Sequence, residues 1–430
     1  MGRVCASVCV NISDIAMSKL LLADPSLLAL PPLGADESIC KSGARTCRPI
    51  QAALPKMGPV GFNLFGCHDI YQRGTHSEPA PHADPFIMCA AIKADKAFKP
   101  PFCAHPHCGA SVASILIQGG AIRPWDNVQG SEAAPLLAGG IYHVDTGAGC
   151  VHDEPMEAVA LRPRTKPGFA DDEPNSLPCD ADDDRTWMLQ LWWNAICMDE
   201  PAGTPLRPVR SQVVAPESVP REQSQASNGL FVRCLAGDYR DTANVLDSSS
   251  HAVMLLHVRV EPNADGMLGP LPCEFNGFVW VLDGAVSLGG GDGDPNAPVR
   301  AEHGGETGLV LLPPGGDTLR VQYATPSGTE AAPSKPAQLF IGLGRPHRKP
   351  YVKYVGYGGG LIHRTVDEAM AAMAEYESDP KAYGRAAAGG AAKPVDTSAY
   401  ELVSGFQSNG GDMMERPADV VARFKYKDGP

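Results

Sequence analysis

Short apolar runs, most of them bounded by glycine or proline, recur through the middle of the chain. Runs of this kind are typical of strands with buried faces. One block begins near Val60 and contains the predicted strands Phe86–Ile92, Ser111–Gln118, Gly140–Val144 and Met188–Asn194. A later block contains the predicted strands Ala252–Val260, Gly277–Leu282, Gly308–Leu312, Thr318–Ala324 and Ala337–Gly342. Two strand-rich blocks of similar size with glycine turns predict an all-β protein with two similar barrels.

Two stretches depart from the strand pattern and predict helices. The first is a short apolar segment around Met17–Leu30. The second follows Thr365, which is a good N-cap residue, and Glu368 three positions later completes a capping box. We therefore expect a short helix close to the C-terminal end of the second block.

The same patterns predict five parts of the chain. Residues 201–228 are rich in proline, serine and glutamine and predict a linker, whereas the acidic stretch 169–185 predicts a solvated loop. The predicted parts are an N-terminal extension 1–57, an N-terminal barrel 58–200, the linker 201–228, a C-terminal barrel with the helix 229–385, and a tail 386–430.

Composition narrows the class of protein. The 46 glycines and 40 prolines make up a fifth of the 430 residues, against a usual ~12%, which favours many short strands and turns. A net charge of −13 opposes direct nucleic-acid binding. No apolar run reaches the roughly 18 residues of a membrane span.

The cysteines and the N-terminus bear on localisation. The 13 cysteines are odd in number and form no CxxC pair, so we expect a reducing compartment, cytoplasm or nucleus. The N-terminus lacks a basic region followed by a clean apolar region, which argues against a secretory signal. An organelle address stays open.

Two pairs of candidate ligands stand at strand spacing. His105 and His107 flank Pro106, and His152 and Glu154 repeat the spacing 45 residues after His107. Residues i and i+2 of a strand share a face. The alternative is that His105 and His107 are surface histidines in a proline-rich loop. If the pairs converge, three imidazoles and one carboxylate form a site suited to iron, nickel, copper, cobalt, manganese or zinc.

Several motifs, in order, resemble the pirin family of the cupin superfamily. They are "HPH", "TGAGCVHDE", "MLQLWWN", "FVWVLDGAV" and "GRPHRKPYVKYVGYGG", and the resemblance covers about residues 60–385. It implies a bicupin, with two cupin-type β-barrels, a short C-terminal helix and extended termini. It also implies one divalent metal in the first barrel, with Fe(II) favoured and Zn, Ni, Cu or Mn as alternatives. The implied ligands are His105, His107, His152 and Glu154.

The family resemblance implies an enzyme similar to quercetin 2,3-dioxygenase, acting on a flavonol-like aromatic substrate. Glu154 is then also the catalytic residue that takes the substrate proton. The chain departs from the family where Cys108–Val112 replaces the usual Arg-Gly-Phe-Glu-Thr, and where His143 replaces a tryptophan. These departures predict weak or absent dioxygenase activity.

Two further functions remain open. One is a non-catalytic accessory subunit that docks on a larger protein assembly through the extended termini. The other is a redox-sensing transcription cofactor, a role also found in the family. The substrate, the partner and the oligomeric state are not specified by the residues.

The remaining site predictions concern the second barrel and the thiols. The second barrel is predicted to be metal-free, because Leu319 stands where the cupin motif has histidine and no His-x-His precedes it. Cys103 and Cys150 are in phase with the proposed ligands. We expect both thiols inside or near the first barrel, and not bonded to metal.

Overall fold

The structure is a computed structural model that describes part of the chain. Its described residues are 48, 51–54, 64–68, 83–94, 104–118, 121–122, 124–128, 130–131, 135–154, 156–157, 186–220, 223–224, 229–242, 244–246, 251–289, 298–303, 308–328, 335–349, 351–356, 359–388, 400–403 and 423–426. The predicted helix around Met17–Leu30 and the acidic stretch 169–185 lie outside these residues.

Strands dominate the described part of the chain. The first fourteen strands are β1 (Gln51–Leu54), β2 (Leu64–His68), β3 (Phe86–Ala94), β4 (His105–Cys108), β5 (Ala110–Gln118), β6 (Ala121–Ile122), β7 (Trp125–Asp126), β8 (Gly130–Ser131), β9 (Leu136–Leu137), β10 (Ile141–Asp145), β11 (Cys150–Asp153), β12 (Met156–Glu157), β13 (Thr186–Asn194) and β14 (Arg210–Val214).

The later strands are β15 (Gln223–Ser224), β16 (Leu230–Ala236), β17 (Val253–Val260), β18 (Asp265–Leu268), β19 (Asn276–Asp283), β20 (Ala285–Leu288), β21 (Val299–Glu302), β22 (Leu309–Leu312), β23 (Leu319–Ala324), β24 (Ala337–Gly344), β25 (Val352–Gly356), β26 (Gly359–His363), β27 (Tyr400–Val403) and β28 (Arg423–Tyr426). The helices are α1 (Val366–Ser378), α2 (Arg385–Ala388) and a 3₁₀ turn, Pro216–Ser218.

Two large sheets and one small one form the first β domain. The order of one sheet is β14-β10-β5-β13-β3-β2, and that of the facing sheet is β25-β26-β4-β11-β7-β8. Strands β12, β6 and β9 form the small sheet. Alternation along β5 separates Val112 and Leu116, which point into this domain, from Ala113 and Ile115, which point out.

The second β domain has the same two-sheet plan. Its large sheet runs β1-β22-β19-β24-β17-β16-β15, and its smaller sheet runs β18-β23-β20-β21. The space between them is filled by apolar side chains, including Val279, Val310 and Ile341. The predicted all-β class with two similar units is confirmed by this arrangement.

A large apolar cluster joins the two domains. Trp193, Ile115 and Leu191 of the first domain pack with Phe278 and Phe340 of the second. Burial of such side chains stabilises by roughly 1.5–3 kcal/mol each before conformational entropy is subtracted. The outward faces of β5 and β13 are therefore interior surface of the whole molecule.

Each domain also contains a segment from the opposite end of the chain. Strand β1 pairs with β22 in the second domain, and Arg48 donates hydrogen bonds there to the carbonyls of Phe275 and Pro272. Strand β26 pairs with β4 in the first domain, in parallel.

Helix α1 begins as the sequence predicts. The Thr365 hydroxyl accepts from the Glu368 N–H, and the Glu368 carboxylate accepts from the Thr365 N–H, which completes the capping box. Tyr376 of this helix packs in a cluster with Trp125 and Val151 of the first domain. The helix thus covers the outer face of the sheet that contains β4 and β11.

The predicted segment boundaries stay a prediction, but the structure adds contacts across them. Within 201–228, β14 pairs with the first domain and β15 with the second. Although 229–385 was assigned to the second barrel, its segment 359–378 packs on the first domain.

Among the described residues, no helix is long and apolar enough to cross a membrane. Cys273 is disulfide-bonded, whereas Cys89, Cys108, Cys150, Cys197 and Cys234 are free thiols. A disulfide among the described residues was not expected from a sequence without a CxxC pattern. The reducing compartment stays a prediction.

Candidate metal centre

Two short antiparallel strands hold the three candidate histidines. In the pairing of β4 with β11, His152 lies opposite His105 and Cys150 lies opposite His107. Directly opposed residues project to the same face of a sheet, so all three imidazoles point into the first domain. Proline has no N–H to donate to a neighbouring strand. Pro106 fits β4 because β26 pairs with β4 only at His107 and Cys108, after the proline.

The three rings form a nearly equilateral triangle. The ring centroids of His105 and His107 are 4.9 Å apart, those of His105 and His152 4.7 Å, and those of His107 and His152 4.6 Å. One nitrogen of each ring lies within 4.8 Å of the corresponding nitrogen of the other two. All three residues are buried, which a surface loop would not produce.

The spacing of the nitrogens fits a metal ion. The Nε2 atoms of His105 and His152 are 3.1 Å apart. Metal–imidazole bonds of about 2.1 Å at a right angle place two nitrogens about 3.0 Å apart. These two nitrogens therefore fit adjacent positions of one divalent ion.

The third ring is held by the C-terminal part of the chain. The Gly360 N–H of β26 donates to His107 Nδ1 at 3.2 Å, while His107 Nε2 is buried without a hydrogen-bond partner. A neutral imidazole that accepts at Nδ1 has its proton on Nε2. Metal binding through His107 Nε2 therefore requires loss of that proton or a turn of the ring.

Burial keeps the imidazoles in the form that binds metal. It lowers the pKa of both His107 and His152 well below the ordinary value, and the other histidines lower these values further. A neutral ring offers a lone pair, whereas a protonated ring does not. His107 and His152 are therefore held in the neutral form that can donate a lone pair to a metal.

Glu154 is near the histidines in sequence but has its own partners. Its Oε1 accepts from the Ser114 hydroxyl, and its Oε2 accepts from Gln190 Nε2 at 2.5 Å. It is not part of the three-histidine group found among the described residues. Burial raises the pKa of Glu154 to about 7, and these two hydrogen bonds oppose the rise.

Ser114, Gln190 and Trp192 belong to this site, although the sequence did not single them out for it. Ser114 and Gln190 are direct cross-strand partners in β5 and β13, which explains how both reach one carboxylate. The Trp192 ring stands edge-on to the His107 ring, with 4.6 Å between the centroids. Trp192 is two residues after Gln190 and therefore lies on the same face of β13. The alternation of residues along this strand could have indicated that both side chains reach the site.

Of the two thiols predicted near the metal, only Cys150 lies among the described residues. Cys150 is a buried free thiol among apolar side chains of the first domain. Burial raises its pKa well above the ordinary value, and nearby Asp126 adds to the rise. Cys103 lies outside the described residues. That these thiols are not metal ligands stays a prediction.

The corresponding space in the second domain is apolar. Leu319 is buried there among Leu268, Val310 and other aliphatic side chains. His257, off the motif as predicted, is buried with its Nε2 3.1 Å from Gln338 Oε1. That the second barrel binds no metal stays a prediction.

Comparison with known proteins supports the fold. No protein-family model matches the chain, and no curated protein matches it. A solved quercetin 2,3-dioxygenase from Acinetobacter baumannii superposes with a TM-score of 0.56 at 17% identity, covering 79% of this chain and 99% of that one. Bacterial pirin YhhW from Escherichia coli, in complex with nickel(II), gives a TM-score of 0.39 at 14% identity, covering 70% and 98%.

The fold and the site together define the class of protein. The fold, with two similar β domains, is that of the solved quercetin 2,3-dioxygenase. Its first domain contains three buried and converging histidines, which fit a divalent metal ion.

Proposed function

We propose that this protein is a metal-binding bicupin that holds one divalent metal in its first domain, with Fe(II) as the favoured ion. The observation that carries the proposal is the convergence of His105, His107 and His152, with two Nε2 atoms 3.1 Å apart. The proposed fourth ligand is Glu154, which must exchange one of its present hydrogen bonds for the metal. Imidazole with carboxylate suits iron, nickel, copper, manganese and zinc.

A weak or diverged dioxygenase activity on flavonol-like aromatic substrates is the finer proposal. The quercetin 2,3-dioxygenase similar in fold makes this reaction class the first to test. When bound, the metal would supply Lewis-acid and redox chemistry. Trp192 and Tyr142 provide aromatic surface beside the histidines, and Glu154 provides a carboxylate that accepts a proton.

Burial of the centre favours a second candidate, a metal-binding protein without catalysis. His107 and His152 are 0% exposed, and His105 and Glu154 are 7% and 8% exposed. The segment after His107 adds no large polar or aromatic side chain, because it consists of Cys108, Gly109 and Ala110. Burial of the four side chains restricts direct access of a flavonol from solvent, and the short segment offers it few contacts, which agrees with weak activity.

The test is metal analysis combined with oxygen uptake. Purified protein reconstituted with Fe(II) should retain close to one equivalent of iron and take up oxygen with quercetin slowly or not at all. His107→Ala should lose the iron, whereas His303→Ala, in the second domain, should keep it. Iron that is absent from the wild-type protein, or retained after His107→Ala, would contradict the proposed centre. Fast uptake abolished by His105→Ala would contradict the proposal of weak activity.

A further inference from the structure

A cavity separate from the three histidines lies between the two domains. It has a volume of about 250 Å³, and its lining includes Arg207, His251, Arg345 and His347. None of the three histidines of the metal centre lines it. Basic side chains therefore gather at a second concave site.

Hydrogen bonds hold the backbones of Arg207 and Arg345, whereas their side chains have no partner among the described residues. The Arg207 carbonyl accepts from the Ala148 N–H at 2.8 Å, and the Arg345 N–H donates to the Ala252 carbonyl at 3.1 Å. Among the described residues, neither guanidinium makes a hydrogen bond or an ion pair. Arg207 and Arg345 thus contribute two guanidinium groups, each a forked donor, to the residues that line the cavity.

Two of the three acidic residues of the lining pair with cations other than Arg207 and Arg345. Asp199 pairs with Lys349 at 2.5 Å, and Glu200 pairs with Arg364 at 2.8 Å. Asp145, the remaining carboxylate of the lining, is a buried strand residue with its own interactions. Two arginines thus remain without a carboxylate of their own.

Two histidines of the lining, His251 and His347, lie side by side. Their rings stack with 4.2 Å between centroids, and His251 Nε2 is hydrogen-bonded to the Arg345 carbonyl at 2.6 Å. Burial, and then the positive charges of His347 and Arg345, lower the pKa of His251 to about 4, while only a backbone hydrogen bond opposes them. A negative charge bound in the cavity would oppose this lowering.

The same cavity also has an apolar wall. Ile196 and Met198 are buried, and Leu206 and Pro346 are half-buried lining residues. A pocket with an apolar wall and a few convergent polar groups suits an organic ligand better than a hydrated inorganic ion.

We propose that this cavity binds a small organic carboxylate, with its carboxylate on Arg207 and Arg345 and its apolar body against Ile196 and Met198. Guanidinium groups match carboxylates through paired hydrogen bonds. The site is independent of the proposed metal chemistry.

Cys197 supplies a local readout, because it is an exposed free thiol in the cavity lining. Benzoate is the probe, and alkylation of Cys197 by iodoacetamide is followed by mass spectrometry of its peptide. Benzoate should slow alkylation saturably. Since a charged hydrogen bond contributes about 1.5–3 kcal/mol, Arg207→Gln and Arg345→Gln should each weaken protection about tenfold or more.

Three comparisons make the test decisive. Arg300→Gln, an arginine of the second domain that lines no part of this cavity, should leave protection unchanged. Protection should also survive His107→Ala, which separates this cavity from benzoate bound at the metal centre. Inorganic phosphate at equal ionic strength should protect far less well.

Several outcomes would overturn the proposal. They are no slowing by benzoate, unchanged protection in the double variant Arg207→Gln/Arg345→Gln, loss of protection in His107→Ala, and protection by phosphate equal to that by benzoate. Both arginines are exposed, so their variants should keep the wild-type circular dichroism spectrum.

Discussion

The different surroundings of His107 and Glu154 predict unequal contributions to metal binding. His107 has a buried Nε2 without a partner, whereas both Glu154 oxygens accept hydrogen bonds from protein groups. His107 belongs to the group of converging nitrogens, whereas Glu154 must give up one of its hydrogen bonds to reach a metal. We expect His107→Ala to lower metal affinity about a hundredfold and Glu154→Gln less than about tenfold.

Competition against a chromogenic chelator measures both affinities on the same scale. His303→Ala serves as the control for removal of a histidine outside the centre. Equal losses in His107→Ala and Glu154→Gln would show that Glu154 is a full ligand despite its present hydrogen bonds.

His143 should make the protein sensitive to acid. Its ring is buried and stacks on Trp193 at 5.3 Å, and burial lowers its pKa to about 3. The unfolded chain, with a histidine pKa of about 6.5, binds this proton first as the pH falls. Stability present above pH 6.5 is therefore lost between about 6.5 and 3, with about 2 kcal/mol gone at pH 5.

His143→Phe keeps an aromatic ring on Trp193 but does not titrate. Urea unfolding of metal-free protein at pH 7.5 and pH 5 should show a pH-dependent loss about 2 kcal/mol smaller in the variant. Parallel behaviour of the two proteins would contradict the assignment of this acid sensitivity to His143.

At the residue scale, the sequence located the site because its signal is local. The i, i+2 spacing of His105 with His107 identified the shared face without knowledge of any partner strand. Ser114 and Gln190 meet Glu154 only because β5 and β13 pair in one register, which spacing along the chain does not reveal. Side chains that complete the site from other strands were therefore missed.

At the element scale, strand β26 borders the metal centre beside His107. Gly360 donates to His107, and a Cβ at Gly360 would lie 2.9 Å from Trp192 Cζ3. Gly360→Ala should displace the Trp192 ring, which packs against His107, and so lower metal affinity about tenfold.

Metal affinity and tryptophan fluorescence together check this prediction. Gly203→Asn is the control, because a Cβ at Gly203 meets nothing within 4 Å and asparagine tolerates its φ of 81°. Unchanged metal affinity and fluorescence in Gly360→Ala would show that β26 and Trp192 accommodate the added methyl group without affecting the metal centre.

Elements inside one block were predicted better than pairings between blocks. The strand Phe86–Ile92 and the capping box at Thr365 were confirmed, since alternation and capping act over a few residues. The parallel pairing of β26 with β4 joins residues 253 positions apart, at His107 and Gly360. No strand was predicted at 359–363, and its place after the second block did not indicate that the first domain would bury it.

At the scale of the whole molecule, the exchange of terminal segments predicts that neither half folds alone. The first domain needs β25 and β26, the second needs β1, and the cluster around Trp193 and Phe278 needs both. Separately expressed fragments 1–228 and 229–430 should aggregate or remain unfolded. Coexpression should give a complex that binds metal.

Size-exclusion chromatography and metal content of the coexpressed fragments measure this outcome. Intact protein cut within the linker is the reference for the complex. A fragment 1–228 that is monomeric, folded and metal-loaded without its partner would contradict a requirement for β26.

The position of β26 in the chain also orders events during biosynthesis. A ribosome completes His105, His107 and His152 long before it reaches Gly360, whose N–H faces His107. Until residues 359–363 emerge, the sheet that holds these histidines lacks one neighbouring strand. We therefore expect metal retention to begin only after these residues are made, so that nascent chains stalled before residue 359 contain all three histidines but do not retain metal.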